Sequence, residues 1–157
     1  MSLPNVSATT DTQPWFAAYL APKCKQPKGM SREELLAILK EDPDAVGRGI
    51  VLVDLRKADH EGGTIRGSIN LPAQSLYPAL PTLYGLFKAA GARKVVFYCG
   101  SSRGRGTRAA GWLTDHIENQ GDTTMESLVL LDGVRGWAAG GPEFVKFMEG
   151  YDQSAWA

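Results

Sequence analysis

Three short runs constrain this chain more than anything else in it: IVLVDL at 50–55, KVVFY at 94–98 and SLVLL at 127–131. Each is apolar and rich in β-branched residues, the pattern of a strand buried on both faces. Stretches with helical spacing separate them. SREELLAILKED (31–42) has a serine N-cap with Glu34 three residues on, a capping box, and then leucines and an isoleucine at helical intervals. A second helix is predicted from about Ala79 to Ala90, entered through two prolines and closed by Gly91. A third covers TRAAGWLTDHIENQG (107–121), with Ala109, Trp112, Leu113, His116 and Ile117 on one side and Gly121 as its stop. PEFVKFMEGY (142–151) reads as a last short helix with proline at its first position, and SINLP (68–72) as a short strand. Strands alternating with helices predict an α/β fold with a central, mostly parallel sheet and helices on both faces.

At 157 residues one domain is expected. Residues 1–30 are punctuated by prolines and predict an extended N-terminal arm, packed on the domain through Trp15, Phe16, Tyr19 and Leu20. The domain is expected over 31–150, and 151–157 as a C-terminal tail. No internal repeat or low-complexity segment is present. Seventeen basic residues balance seventeen acidic ones, which gives no global electrostatic reason for nucleic acid or a membrane surface as partner. The run WFAAYLA is too short to span a bilayer and has no basic region before it, so it does not read as a signal peptide. The two cysteines, Cys24 and Cys99, do not make a disulfide framework. A reducing, cytoplasmic setting is expected, with the nucleus left open. No cluster of Cys and His has metal-ligand spacing, so no metal is expected.

In a reducing setting a cysteine in a polar loop is a candidate reactive thiol. Cys99 stands at the end of KVVFY and opens the loop CGSSRGRG, which runs into a predicted helix. In open parallel sheets ligands bind at the carboxyl ends of the strands, where such loops lie. Inward-turned backbone N–H groups together with a helix N-terminus make an anion cradle. The same field favours thiolate over thiol, so Cys99 is expected to have a lowered pKa and to act as a nucleophile. Arg105, six positions on, can swing back and grip two oxygens of a tetrahedral oxyanion with its planar fork. With nine arginines in 157 positions, Arg falls at this spacing by chance roughly 6% of the time, so the strand–loop–helix context carries the weight.

The stretches VDLRKADHEGGTIRGSINLP (53–72), VVFYCGSSRGRG (95–106) and LLDGVRGWAAGGPEF (130–144) together resemble the three landmarks of the rhodanese fold. EGGTIRGSINL is particularly similar to the stretch ahead of the active site in cell-division-cycle-twenty-five dual-specificity phosphatases and the arsenate reductases related to them. The resemblance covers roughly residues 30–145. It implies that loop length separates chemistries: sulfurtransferases carry a shorter loop, and the phosphatases and arsenate reductases one residue more. Cys99 to Arg105 has the longer length. By this resemblance Cys99 is the nucleophile and Arg105 the oxyanion clamp. Gly100, Ser101, Ser102, Arg103, Gly104 and Gly106 belong to the oxyanion-binding loop, with the N–H groups of 100–105 as its cradle. Asp54 and Arg56 are the supporting framework.

Two departures stand out. The family's usual histidine before the cysteine is replaced by Tyr98, which removes one familiar contributor to loop geometry and thiolate stabilisation. The loop also lacks the acidic residue that some relatives carry and has Arg103 instead, making the pocket more positive. The general acid is unassigned, with Asp59, His60 and Glu61 as candidates on the neighbouring loop. The side chains of Arg103 and Arg108 read as solvated or phosphate-steering. Cys24, between Lys23 and Lys25, reads as a surface thiol, with a resolving disulfide to Cys99 as the alternative. His116, Trp112 and Trp137 read as core residues.

The expected function is a cysteine-dependent phosphatase that passes through a cysteinyl-phosphate. The alternative is an arsenate reductase with glutathione as co-substrate and glutaredoxin as partner; no other cofactor is expected. A thiosulfate-type sulfurtransferase and a non-catalytic phosphate-recognition module come from other classes.

Overall fold

The structure, a computed structural model, describes residues 15–156. In chain order its strands are β1 (Gly29–Met30), β2 (Ile50–Asp54), β3 (Thr64–Ile65), β4 (Ile69–Asn70), β5 (Lys94–Tyr98), β6 (Glu126–Leu130) and β7 (Met148–Glu149). The helices are α1 (Arg32–Glu41), α2 (Ala73–Ala89), α3 (Arg105–Asn119), α4 (Gly133–Ala138) and α5 (Pro142–Val145). The main sheet has the order β1-β6-β5-β2-β4, and all its pairings are parallel. In the central pair, Ile50 lies opposite Lys94 and Asp54 opposite Tyr98.

The apolar runs fill both faces of this sheet, as β-branched strands without polar alternation must. Val51, Val53, Val95, Phe97 and Val129 pack on one side with Ala73, Leu76 and Leu80 of α2 and Ala109, Trp112 and Leu113 of α3. Ile50, Leu52, Val96, Tyr98, Leu128 and Leu130 point the other way, onto Leu35, Leu36 and Leu39 of α1 and onto Val134, Trp137 and Phe144. Period-two alternation therefore sorts the strand residues into two cores. Helix α1 starts as its sequence predicts: Glu34 N–H donates to Ser31 Oγ at 3.1 Å, and Ser31 N–H to Glu34 Oε1 at 3.1 Å. Trp112 and Trp137 are buried; His116 is half-buried, its ring edge-on to Tyr84.

Two elements differ from expectation. Helix α2 begins at Ala73, not Ala79, and carries Pro78 and Pro81 in its interior. A proline there leaves the carbonyl four residues back without its N–H donor. At Pro78 that carbonyl belongs to Gln74, and it accepts the Tyr19 hydroxyl at 3.3 Å instead. The predicted helix 142–151 is short: α5 ends at Val145, and Met148–Glu149 forms β7, antiparallel to β3. Burial of Phe144, Phe147 and Met148 in the second core draws the chain into this extended exit.

Of the N-terminal stretch, residues 1–14 lie outside the described residues, as does Ala157 at the other end. Trp15, Phe16 and Tyr19 pack against the first core, whereas Leu20 stays 79% exposed. Gly29–Met30 is the edge strand β1, paired with β6, so part of the expected arm belongs to the sheet. At the C-terminal end Trp156 donates its ring N–H to the Gly62 carbonyl at 2.9 Å. No helix among the described residues is long and apolar enough to cross a membrane.

Tyr98 closes β5 and points into the second core with its side chain fully buried. Its hydroxyl lies 2.7 Å from Thr64 Oγ1 and 2.6 Å from Ser68 Oγ, and accepts the Ile65 N–H at 3.2 Å. Burial, with the nearby Asp54 charge, pushes the phenol above the usual tyrosine range. Tyr98→Phe leaves that buried N–H without its acceptor, and the expected loss of stability is about 1–3 kcal/mol. Urea unfolding checks this as a lower midpoint at unchanged slope. A midpoint equal to that of the parent protein would show that Thr64, Ile65 and Ser68 re-pair among themselves.

Candidate active site

β5 ends at Tyr98 and α3 begins at Arg105, so the loop 99–104 hangs between a buried strand and a helix N-terminus. Cys99 is 3% exposed, on the first-core side of the sheet. The Ser102 N–H donates to Cys99 Sγ at 3.1 Å. Ser102 adopts a left-handed backbone (φ 64°), which costs a non-glycine residue about 1–2 kcal/mol. Its surroundings hold it there: the side chain is buried, and its carbonyl accepts the Thr107 hydroxyl at 2.8 Å. Gly106 gives it room, since a Cβ there would sit 3.1 Å from Ser102 Cβ and 3.2 Å from Val129 Cγ2.

A second element grips the loop from the other side. The Val134 N–H donates to the Cys99 carbonyl at 3.1 Å, and the Arg135 N–H to the Gly100 carbonyl at 3.0 Å. This close approach needs Gly133, at φ 60°, where a Cβ would collide with those same carbonyl oxygens. In a planar trans peptide the C=O and the following N–H point in opposite directions. The carbonyls bound by α4 therefore turn the N–H groups of Gly100 and Ser101 away from it. The first turn of α3 adds N–H groups without intrahelical partners and the positive end of a fifteen-residue helix.

Arg105, the first residue of α3, folds over the cleft and meets Asp59. Its Nη1 donates to Asp59 Oδ1 at 3.0 Å and its Nη2 to Oδ2 at 2.6 Å, a two-pronged grip. That grip, helped by the Lys57 N–H, holds the Asp59 carboxyl down at about 2. Reciprocally, Asp59 raises the Arg105 guanidinium, and the Cys99 sulfur adds to the effect. The cleft over this group has a volume of about 470 Å³; Trp15, Phe16, Asp59, Gln74, Cys99, Arg105 and Arg108 are among its walls. A cleft of similar volume, about 470 Å³, lined by Leu20, Tyr77 and Trp112, holds neither cysteine nor arginine.

Asp59 reaches Arg105 because its loop is fixed at the root. Arg56, only 2% exposed, donates from Nε to both oxygens of Asp54 and from Nη2 to Oδ2 at 2.7 Å. Its remaining N–H groups bind the Glu61 carbonyl at 3.0 Å and the Gly63 carbonyl at 2.8 Å. Asn70 Nδ2 donates to the Asp54 and Arg56 carbonyls at 2.9 and 2.7 Å.

Of the residues singled out in the sequence, Cys99, Ser101, Gly104 and Arg105 line one cleft, and Ser102 supports it from beneath. Asp54 and Arg56 pair below the neighbouring loop. Arg103, expected in the oxyanion-binding loop, stands apart from these residues by its side chain. Its side chain lies outside the Cys99 cleft and lines two neighbouring ones, with Arg32 and Arg135 in one and Cys24 in the other. Among the three acid candidates, Asp59 alone lines the cleft; His60 Nε2 lies 3.3 Å from Asp54, and Glu61 is exposed. Reading the sequence missed the roles of Gly133, Gln74, Trp15 and Phe16 at this site. No spacing rule points to them, because each reaches the site across a long sequence separation.

The rhodanese-like domain family model matches residues 31–140. No curated protein matches the chain. Among solved structures, the chain is similar to Ygr203w, a yeast protein tyrosine phosphatase of the rhodanese family. The TM-score is 0.68 at 24% identity, covering 83% of this chain and 96% of that one. It is also similar to the As-Sb reductase of Leishmania major, with a TM-score of 0.62 at 22% identity over 78% of this chain and 85% of that one. At such identities the likeness is one of fold. The parallel sheet with its loop at the end of β5 and the match over most of the chain agree: this protein belongs to the rhodanese-like domain family.

Proposed function

We propose that this protein is a cysteine-dependent phosphatase that hydrolyses a phosphate monoester. The observation that carries this reading is the two-pronged hold of Arg105 on a pair of oxygens beside the Cys99 sulfur. The Asp59 carboxylate occupies the place that two phosphoryl oxygens would take, and the fork is already set to that spacing. The thiolate of Cys99 attacks phosphorus, forming the P–S bond as the ester P–O bond breaks; the leaving oxygen takes a proton. Water then attacks the cysteinyl-phosphate, the P–S bond breaks, and phosphate and thiolate are released. Backbone N–H groups of the loop and Arg105 stabilise the charge that builds on the equatorial oxygens in both steps.

Asp59 fits two roles in sequence. Before substrate binds, it is ionised and competes for Arg105. When the phosphoryl oxygens take the guanidinium, Asp59 loses the partner that lowered its pKa, takes up a proton from solvent beside the bound dianion, and passes that proton to the leaving oxygen as the P–O bond breaks.

Cys99→Ser is expected to abolish hydrolysis of para-nitrophenyl phosphate with reductant present, and Arg105→Lys to lower kcat/KM by at least 100-fold. If the parent protein shows no turnover but reduces arsenate with glutathione, the substrate is arsenate and not an ester. Asp59→Asn is expected to tighten inorganic phosphate binding several-fold by freeing Arg105. It should also lower kcat by about 100-fold for esters with poor leaving groups.

The ion pair also makes a prediction about stability. The folded pKa of Asp59 is depressed, so its contribution is present above the unfolded value of about 3.9 and is lost as pH falls through about 2. Because Asp59 is half exposed, the contribution stays below about 1 kcal/mol. The unfolding free-energy difference between parent and Asp59→Asn should be constant from pH 5 to 8 and shrink below pH 4. A difference unchanged down to pH 2 would show that the pair adds nothing to stability.

A further inference from the structure

Most arginines of this chain are engaged by the protein itself. Of the nine, Arg32, Arg48, Arg56, Arg66 and Arg105 each pair with a carboxylate, and Arg108 lies on the Phe16 ring. Among the described residues, the side chains of Arg93, Arg103 and Arg135 make no hydrogen bond, ion pair or ring contact; only their backbone N–H groups are bonded. Arg103 and Arg135 wall the same cleft, about 420 Å³ in volume, together with Arg32. Guanidiniums gathered in one cleft repel each other, and an anion from outside relieves that repulsion.

Three separate elements supply these guanidiniums. Arg135 stands in α4, whose Val134 and Arg135 N–H groups hold the Cys99 and Gly100 carbonyls. Arg103 stands in the loop itself, with its N–H donating to Ser101 Oγ at 3.4 Å. Arg32 opens α1 and is fixed in place. Its Nη1 donates to the Gly136 carbonyl at 2.6 Å, its Nε to Glu33 at 3.0 Å, and its guanidinium carbon lies 5.3 Å from the centre of the Phe144 ring. Two carboxylates share the walls, Glu33 and Asp132. Glu33 is taken by Arg32, and Asp132 packs on Gly136 at the start of α4, where a Cβ would sit 2.5 Å from its own. Three guanidiniums against two carboxylates leave the wall net positive. Ser101 is the one residue that this wall shares with the wall of the Cys99 cleft.

We propose that Arg103 and Arg135 form a second oxyanion subsite, for a phosphate group, across Ser101 from the Cys99 cleft. This subsite goes beyond the phosphate-monoester reading and does not depend on the chemistry of Cys99. Planar guanidinium forks match the oxygens of a phosphate, and two of them drawn from different elements converge on a tetrahedral group. A phosphate fills on the order of two or three waters at about 30 Å³ each, so the cleft has ample room for it. The phosphate is either free in solution or the second phosphoryl group of a ligand whose first lies over Cys99. Once bound, it ties the loop to α4 through side chains as well as through the backbone.

The test uses the Cys99→Ser protein, so that binding is read without turnover, and follows backbone amide NMR signals during titration with inorganic phosphate. The Arg135 and Gly136 signals are expected to shift with one dissociation constant, and those of Gly104 and Arg105 with another. Arg135→Gln is expected to weaken the first by about tenfold and the second by less than about twofold. Arg103→Gln should weaken the first to a similar extent. Arg93→Gln removes an equally unengaged guanidinium just before β5 and should leave both constants unchanged. One constant common to all four signals, or a response to Arg93→Gln as large as that to Arg135→Gln, overturns the subsite. Propane-1,3-diol bisphosphate compared with propyl phosphate then separates the two sources. Binding tighter by about tenfold or more, and abolished as a preference by Arg135→Gln, assigns the second phosphoryl group of one ligand. Equal binding of the two assigns free phosphate. The phosphatase reading fails separately: no hydrolysis of para-nitrophenyl phosphate by the Cys99 protein overturns that chemistry and leaves the two constants in place.

Discussion

The placement of Arg105 over the cleft depends on one buried ion pair, Asp54 with Arg56. Both side chains are almost completely removed from water, which costs several kcal/mol per ion unless the charges and hydrogen-bonding groups are fully matched. Here they are matched closely. Arg56 spreads its donors over both Asp54 oxygens and two loop carbonyls, and Asp54 also receives the Thr64 hydroxyl at 2.9 Å and the Arg56 N–H at 3.1 Å. The pair joins the carboxyl end of β2 to the loop that follows. That loop carries Asp59, and Asp59 sets the orientation of Arg105. The position of a half-exposed guanidinium over the cleft is thus determined by a guanidinium buried beneath the next loop.

The alternation of β5 completes the arrangement. Phe97 and Cys99 face the first core and Tyr98 the second, because successive strand side chains must. The residue before Cys99 therefore turns its side chain away from the sulfur. Tyr98 instead binds Thr64, Ile65 and Ser68, at the far end of the loop that Arg56 fixes at its start. The contribution of Tyr98 is therefore to the clamp on the Asp59 loop and not to the surroundings of the sulfur. The loop is held at both ends, by an ion pair and by a phenol, and both anchors come from adjacent central strands.

Much of this was legible in the sequence, for reasons that also mark where legibility ended. The β-branched runs announced β2, β5 and β6, because burial on both faces leaves no room for polar residues. The spacing from Cys99 to Arg105 is local and short, so the loop could be read directly. The early start of α2 could not be read, because the carbonyl orphaned by Pro78 is satisfied by Tyr19, 55 residues before the acceptor Gln74. β7 was hidden because a two-residue strand has no periodicity of its own. Asp59, His60 and Glu61 were indistinguishable in sequence, and a contact across 46 residues separates them. Trp15 and Phe16 were read as packing residues; their place in the cleft wall follows only from where α3 puts Arg108.

The charge distribution carries the last step. The chain has seventeen basic and seventeen acidic residues, so no net field draws an anion from a distance. Attraction has to be local, and Arg103, Arg105 and Arg108 lie within six residues at the start of α3. They do not act alike. Arg103 faces neighbouring clefts, Arg108 is laid flat on Phe16, and Arg105 is neutralised by Asp59. A ligand with only one weak charge gains little by displacing a carboxylate already gripped at two points. A tetrahedral dianion gains more, since it offers the same two oxygens, a greater charge, and further oxygens for the loop N–H groups. On the proposed phosphatase reading, the Asp59–Arg105 pair acts as a threshold, and the ligand best able to cross it carries two negative charges on one centre and a body large enough to fill the remaining cleft.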